Sequence, residues 1–183
     1  MKVSCVILAA GASARFEGNK LTHPLAQGGT LLDRAVRACG SSPTVVVCPA
    51  SLREQLDATR VTIVVNEEPA LGMAHSLQLA NRVIDSDRSI AVLVADLLLI
   101  ESKDVDGLIA AAGGADVTFP QREDGTPGHP VIFSPRARDE IEKLPPGDTI
   151  RLLRDNQHLL RRVIPIEQSW PYHDVDYNED LRQ

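Results

Sequence analysis

Aromatic side chains are scarce in this chain: three Phe, two Tyr and one Trp make up 3% of its 183 residues. A platform that stacks single-stranded bases needs more rings than that. Basic charge is also short. Nineteen Lys and Arg face 25 Asp and Glu, a formal net charge of −6, whereas a protein that grips many nucleic-acid phosphates carries a basic face. One triphosphate needs only backbone amides, one or two cations and a metal, so a small anionic ligand stays open. Cysteine is sparse and scattered: Cys5, Cys39 and Cys48 form no CxxC or Cys/His cluster, which suits buried, reduced thiols and a cytoplasmic location. The apolar run within residues 1–10 is too short for a signal peptide or a membrane span. No linker-like stretch and no repeat period interrupts the chain, so residues 1–183 read as one domain.

What the chain does have is alternation. Residues 3–8, 44–48, 61–65 and 90–94 are continuous apolar runs, the mark of strands covered on both faces. Between them, Leu31, Leu32, Ala35, Val36 and Cys39 share one helical face. So do Met73, Leu77, Ala80, Val83 and Ile84, and again Val105, Leu108, Ile109 and Ala112. The C-terminal third predicts a strand at 131–133 after the turn-rich stretch 123–130, helices over 135–143 and 149–155, and an edge strand at 163–166. Strands alternating with helices of this length imply an α/β, three-layer αβα sandwich around a Rossmann-like, mostly parallel sheet. In such sheets ligands bind beyond the carboxyl ends of the strands, which directs attention to residues 9–20, 66–75 and 96 onward.

Several segments there carry chemistry. ILAAGASARFEGNKL, residues 7–21, leads from a strand into a loop of small residues. Its backbone N–H groups can approach a phosphate closely, and Arg15 and Lys20 can neutralise charge that builds on a departing pyrophosphate. It is neither a Walker A loop nor GxGxxG, and a solvated Gly/Ala connection is the plain alternative. Asp96 directly follows the apolar run at 90–95, and HDVDYNEDL (173–181) supplies Asp174 and Asp176. Mg²⁺ bound with a triphosphate takes one or two carboxylates, so Asp96 and Asp176 form a candidate pair; as surface acids or caps they need no ligand. On the opposite side lie NEEPALGMAHSLQLA (66–80), GTPGHPVIF (125–133) and PGDTIRLLR (146–154). There His75 and His129 can serve as acid, base or donor, and Asp148 reads as a helix cap.

In this order the motifs resemble those of the MobA-like NTP transferases, from residue 3 to about 182. LAAGxSxRxxGxK resembles the family's opening loop, and Ala10 points to the molybdenum-cofactor cytidylyltransferase branch, since the guanylyltransferase branch has LAGG. GMAHSL resembles GMG-x-SL, ADLLLI resembles GD-x-P, GHPV matches GHPV, PGDTIR resembles GD-x-GAR, and HDVDYNEDL resembles DxDxPEDL. The resemblance implies a nucleotide-diphospho-sugar transferase type of sheet and an Mg²⁺-dependent transfer of NMP from an NTP, CTP first, to a phosphate-bearing acceptor such as molybdopterin. It also implies delivery of the product to a molybdoenzyme or its chaperone, with no nucleic acid and no membrane involved. By the same resemblance Leu8, Ala9, Ala10, Gly11, Ser13, Arg15, Lys20, Asn66, Gly72, Ser76 and Asp96 hold the nucleotide. Lys20, Arg15 and Asp96 are catalytic, Asp96 and Asp176 hold the metal, and His75, His129, Asp148 and Arg151 face the acceptor. The chain departs from the pattern at Thr30 (Lys in the family), Ala95 (Gly), Leu98 (Pro) and Ile150 (Ala). Two alternatives stay open: a transferase for a sugar phosphate or other small acceptor, and a nucleotide-binding module that has lost catalysis.

Overall fold

A computed structural model describes residues 1–11, 16, 18–175, 177 and 180. The alternation in the sequence becomes β1 (Val3–Leu8), α1 (Leu31–Ala38), β2 (Thr44–Cys48), β3 (Thr62–Val65), α2 (Gly72–Asn81), β4 (Ser89–Val94) and α3 (Ser102–Ala111). The chain continues through β5 (Val117–Gln121), β6 (Val131–Phe133), single-turn α4 (Pro135–Arg138) and α5 (Arg151–Arg154), and β7 (Arg161–Pro165). The strands form one seven-stranded sheet in the order β3-β2-β1-β4-β6-β5-β7. All run parallel except β6, which is antiparallel to both β4 and β5.

β1 shows why an unbroken apolar run was needed. Its side chains alternate between faces, so Cys5 and Ile7 join the core beneath α1 and α3, while Val6 and Leu8 join the one beneath α2, α4 and α5. All six residues are buried. The three cysteines are buried free thiols. Thr30, the departure from the family's lysine, has a structural task here. It caps α1, its Oγ1 accepting from Asp33 N–H at 3.1 Å while Asp33 Oδ2 accepts from Thr30 N–H at 2.9 Å.

Four expectations need correction. Residues 117–121 were not expected as a strand. Pro120 lies beyond the two registered pairs with β6, Val117↔Phe133 and Thr118↔Ile132, so the missing N–H costs that ladder nothing. The helix expected over 135–143 is broken into α4 and a 3₁₀ turn at Ile141–Lys143. The last strand starts earlier than 163, at Arg161, and pairs in parallel with β5. Asp148 does not cap α5: the cap position is Ile150, and Thr149 Oγ1 accepts the Arg151 N–H at 3.3 Å. The Asp148 carbonyl accepts instead from Ala74 N–H, in the first turn of α2, at 3.0 Å.

Because β6 opposes its neighbours, its first residues lie at the carboxyl ends of the parallel strands. The turn 128–130 therefore arrives beside the segment that follows β4.

Candidate nucleotide site

A cleft of about 710 Å³ opens at the carboxyl ends of β1 and β4. Leu8, Ala9, Ala10 and Gly11 form one wall, and the start of α2 contributes Gly72, Met73 and Ser76. A Cβ built at Gly11 would meet nothing within 4 Å, so the small residues leave open space and not a packed contact. Gly72 has the opposite reason. Its φ is +82°, and a Cβ would stand 3.1 Å from Gly147 Cα, because Gly147 N–H donates to Leu71 C=O at 2.9 Å.

Lys20 and Asp96, seventy-six positions apart, meet in this cleft: Lys20 Nζ donates to Asp96 Oδ2 at 2.5 Å and to the Val175 carbonyl at 2.7 Å. Their side chains are 13% and 21% exposed. At an effective dielectric of 20, unit charges this close attract by roughly 4–7 kcal/mol gross, partly offset by desolvation. The carbonyl of Val175 is the contributor that sequence reasoning missed; a backbone acceptor leaves no signal in side-chain identity. Val175 is placed by a short antiparallel pairing between the segment after β4 and the C-terminal strap. Val175 N–H donates to Asp96 C=O at 3.1 Å, Leu98 N–H to His173 C=O at 3.0 Å, and Leu97 bridges Asp174. The Leu98 bond is one that proline, expected at this position from the resemblance, cannot make.

On the α2 side, Asn66 and Ser76 are 1% and 5% exposed. Asn66 Nδ2 donates to Ser76 Oγ at 2.9 Å and Asn66 Oδ1 accepts from Glu68 N–H at 2.8 Å. Ser76 Oγ is thus an acceptor for Asn66, which leaves its own proton to donate, and Ser76 lines the cleft.

The structure therefore brings Leu8, Ala9, Ala10, Gly11, Lys20, Gly72, Ser76 and Asp96 to one cleft, with Asn66 behind Ser76 and Asp174 on the rim. Ser13, Arg15 and Asp176 lie outside the described residues. His75, His129, Asp148 and Arg151 do not line the cleft. Arg151 points to solvent, 77% exposed, and pairs with Asp155 at 3.4 Å. Its neighbour Arg154 turns inward, 16% exposed, with its guanidinium 5.5 Å from the centre of the Phe119 ring. His129 Nδ1 lies 3.3 Å from the Val92 carbonyl. A carbonyl only accepts, so this nitrogen carries the proton. Burial lowers the pKa of His129, while the Val92 carbonyl and the charge of Asp96 act in the other direction.

A divalent ion fits what is present. Asp96 Oδ1 is buried with no hydrogen-bond partner among the described residues, and Asp174 lines the same cleft. Two carboxylates, one with an unpartnered oxygen, suit a hard cation. Among the described residues no group of three or more His, Cys, Asp or Glu is gathered as a complete metal centre. Phosphate oxygens and waters would supply the remaining ligands, as is usual for Mg²⁺ with nucleotides.

The family match and the site together mark a nucleotidyltransferase: a three-layer α/β sandwich with a lysine, an aspartate and small residues at the carboxyl ends of β1 and β4. The chain belongs to the MobA-like NTP transferase family, whose domain matches residues 5–164. The fold is shared with Rv0371c of Mycobacterium tuberculosis H37Rv, at a TM-score of 0.82 and 22% identity over 99% of this chain and 96% of that one. That protein has also been solved in complex with manganese, which matches at a TM-score of 0.81 and 21% identity, covering 100% and 97% of the two chains. Molybdopterin-guanine dinucleotide biosynthesis protein A of Archaeoglobus fulgidus superposes at a TM-score of 0.73 with 17% identity, covering 98% and 95%. The bifunctional protein GlmU of Alkalilimnicola ehrlichii is 32% identical over 129 residues, 64% of this chain and 28% of that protein. The chain thus spans little more than a quarter of that relative. Among the described residues no helix is long and apolar enough to cross a membrane.

Proposed function

We propose that the protein transfers a nucleoside monophosphate from an NTP, CTP first, to a small phosphate-bearing acceptor of the molybdopterin type. The observation that carries this reading is the Lys20–Asp96 contact on the wall of a cleft lined by Ala9, Ala10 and Gly11. An acceptor phosphate oxygen attacks the α-phosphorus. A bond forms there as the bond to the bridging oxygen breaks, and pyrophosphate leaves with that electron pair. The backbone of residues 9–11 approaches the phosphates, and Ser76 donates to the bound nucleotide. Lys20, with Arg15, offsets the charge gathering on pyrophosphate. Asp96, with Asp176 and Asp174, would hold Mg²⁺, which when bound orients the α-phosphate and neutralises developing charge. His129, held as the Nδ1–H tautomer, presents Nε2 as an acceptor of hydrogen bonds on the acceptor side. His75, Asp148 and Arg151, which do not line the cleft, join that side by the family resemblance alone. Buried, reduced cysteines and the acidic charge support a cytoplasmic enzyme that hands its product to a molybdoenzyme or its chaperone.

The test is thermal stability against CTP, GTP, ATP and UTP, each with and without Mg²⁺. A nucleotide at one hundred times its dissociation constant adds roughly 2.7 kcal/mol. A Mg²⁺-dependent shift with one nucleotide supports the reading and identifies the donor. Binding that ignores metal would favour a nucleotide-binding module without catalysis, and no shift with any nucleotide would overturn both.

A further inference from the structure

The proposed reaction asks Lys20 to meet a triphosphate, yet its ammonium is already engaged. Nζ donates to Asp96 Oδ2 and to the Val175 carbonyl, two of the three bonds an ammonium can donate. This resting place is built by the fold. The carbonyl and the carboxylate belong to segments tied together by the Val175-to-Asp96 and Leu98-to-His173 backbone bonds. The two partners also lie 76 and 155 positions from Lys20 along the chain, so local preference does not explain the contact. Asp96 Oδ1 meanwhile has no partner among the described residues. A divalent ion taking that oxygen would lie beside a fixed ammonium in a half-buried wall, where like charges are poorly screened.

We infer that Lys20 is the cleft's resident counter-ion: it keeps a divalent metal off Asp96 until a triphosphate draws the ammonium away. Metal and nucleotide then bind as a coupled pair. This rests on the assignment of Asp96 as a metal ligand. A flexible four-carbon stem with a rotatable ammonium suits such an exchange, which the rigid fork of arginine would not. Each ligand removes an obstacle to the other, so each must raise the other's affinity by the same factor.

The experiment titrates Mn²⁺ into the full chain, reading free ion by electron paramagnetic resonance, with and without the α,β-methylene analogues of the four NTPs. Affinities are corrected for the ion's own affinity for each analogue. The wild type is expected to bind Mn²⁺ weakly alone and at least ~10-fold more tightly with one analogue, within the 5–150-fold range of site coupling. Lys20→Met is expected to bind Mn²⁺ alone at least ~10-fold more tightly than the wild type. Lys20→Arg should show no such gain, and the gain should vanish in Lys20→Met/Asp96→Asn. Melting curves establish that each variant is folded, and the wild-type coupling factor needs no variant. Lys20→Met no tighter than the wild type, a gain that survives in the double variant, or no coupling in the wild type would each overturn the inference. Failure of every form to bind Mn²⁺ even with nucleotide would instead remove Asp96 as a metal ligand, and the inference with it.

Discussion

The backbone N–H of Val175 donates to the carbonyl of Asp96 at 3.1 Å, which joins the C-terminal strap to the segment after β4 that carries the central carboxylate. The Val175 carbonyl is thereby set where Lys20 reaches it. Residues from three distant parts of the chain become one site through a pairing of very few backbone groups, and their substitution separates chemistry from folding.

Asp96→Asn keeps the shape of the side chain and removes its charge. Pyrophosphate release should fall about 100-fold or more, the scale seen when a single transition-state electrostatic contact is lost. The melting temperature should move far less than for a core truncation. Comparable losses of folding and turnover would remove Asp96 from the site.

Gly128 has no room for a side chain. A Cβ would stand 2.7 Å from Pro171 Cβ and 2.8 Å from the Pro171 carbonyl, and His129 N–H donates to that same carbonyl at 3.0 Å. Gly128→Ala should push the strap away and cost about 1–3 kcal/mol, the usual range for overpacking. Denaturant midpoints measure the cost, and binding of metal with nucleotide should weaken alongside it.

Asn66→Ala removes the donor to the buried Ser76 hydroxyl and the acceptor of the Glu68 N–H. The expected loss is about 1–3 kcal/mol, with each kcal/mol lowering the Tm by roughly 2–4 °C at this size. Nucleotide affinity should fall as well, since Ser76 loses the partner that orients it. A variant as stable and as tight as the wild type would show that the pair does no positioning.

Arg138 is 5% exposed and satisfies the end of α2. Its guanidinium donates to the carbonyls of Asn81, Ile84, Asp85 and Arg88, and to Asn81 Oδ1. Arg138→Met should cost about 3 kcal/mol or more, because several acceptors lose their donor at once. Nucleotide affinity of the folded fraction should be unchanged, which distinguishes this residue from Lys20.

His129 titrates below the usual histidine range because burial disfavours its cation. Above pH ~6.5 both folded and unfolded forms are neutral there. As pH falls below that value the unfolded chain takes up the proton first, so stability drops until the folded pKa is reached. His129→Gln should remove this part of the acid sensitivity. Unfolding free energies of both proteins between pH 7 and 5 test it: parallel curves would show that His129 contributes nothing.

Much of the frame was legible from pattern. Apolar runs without alternation signalled strands buried on both faces, and 3.6-residue periodicity located α1, α2 and α3. β5 was not read from the sequence: its run is short and holds a proline, and only the register shows that the missing N–H falls where pairing with β6 has ended. The helix expected over 135–143 is interrupted after Arg138, whose guanidinium donates to carbonyls at the end of α2, a long-range contact that local propensity does not record. At the site, Lys20 and Asp96 stood out by residue type and by their places after strands, while Asn66 and Ser76 came from the resemblance alone. Thr30 and Leu98 looked like defects. The structure shows one as a helix cap and the other as the donor of a bond that proline could not supply.

By itself the sequence determined the layers of the fold, the end of the sheet where a ligand belongs and the residue types gathered there. Those properties follow from periodicity, turn chemistry and the geometry of parallel strands, which act over a few residues. Tertiary structure alone decided that Lys20 rests between Asp96 and a backbone carbonyl, that Arg154 and not Arg151 turns inward, and that Asp148 serves α2 through its carbonyl. Contacts of this kind join positions tens of residues apart. They depend on how the packed layers bring backbone and side-chain ends together, which no local pattern records.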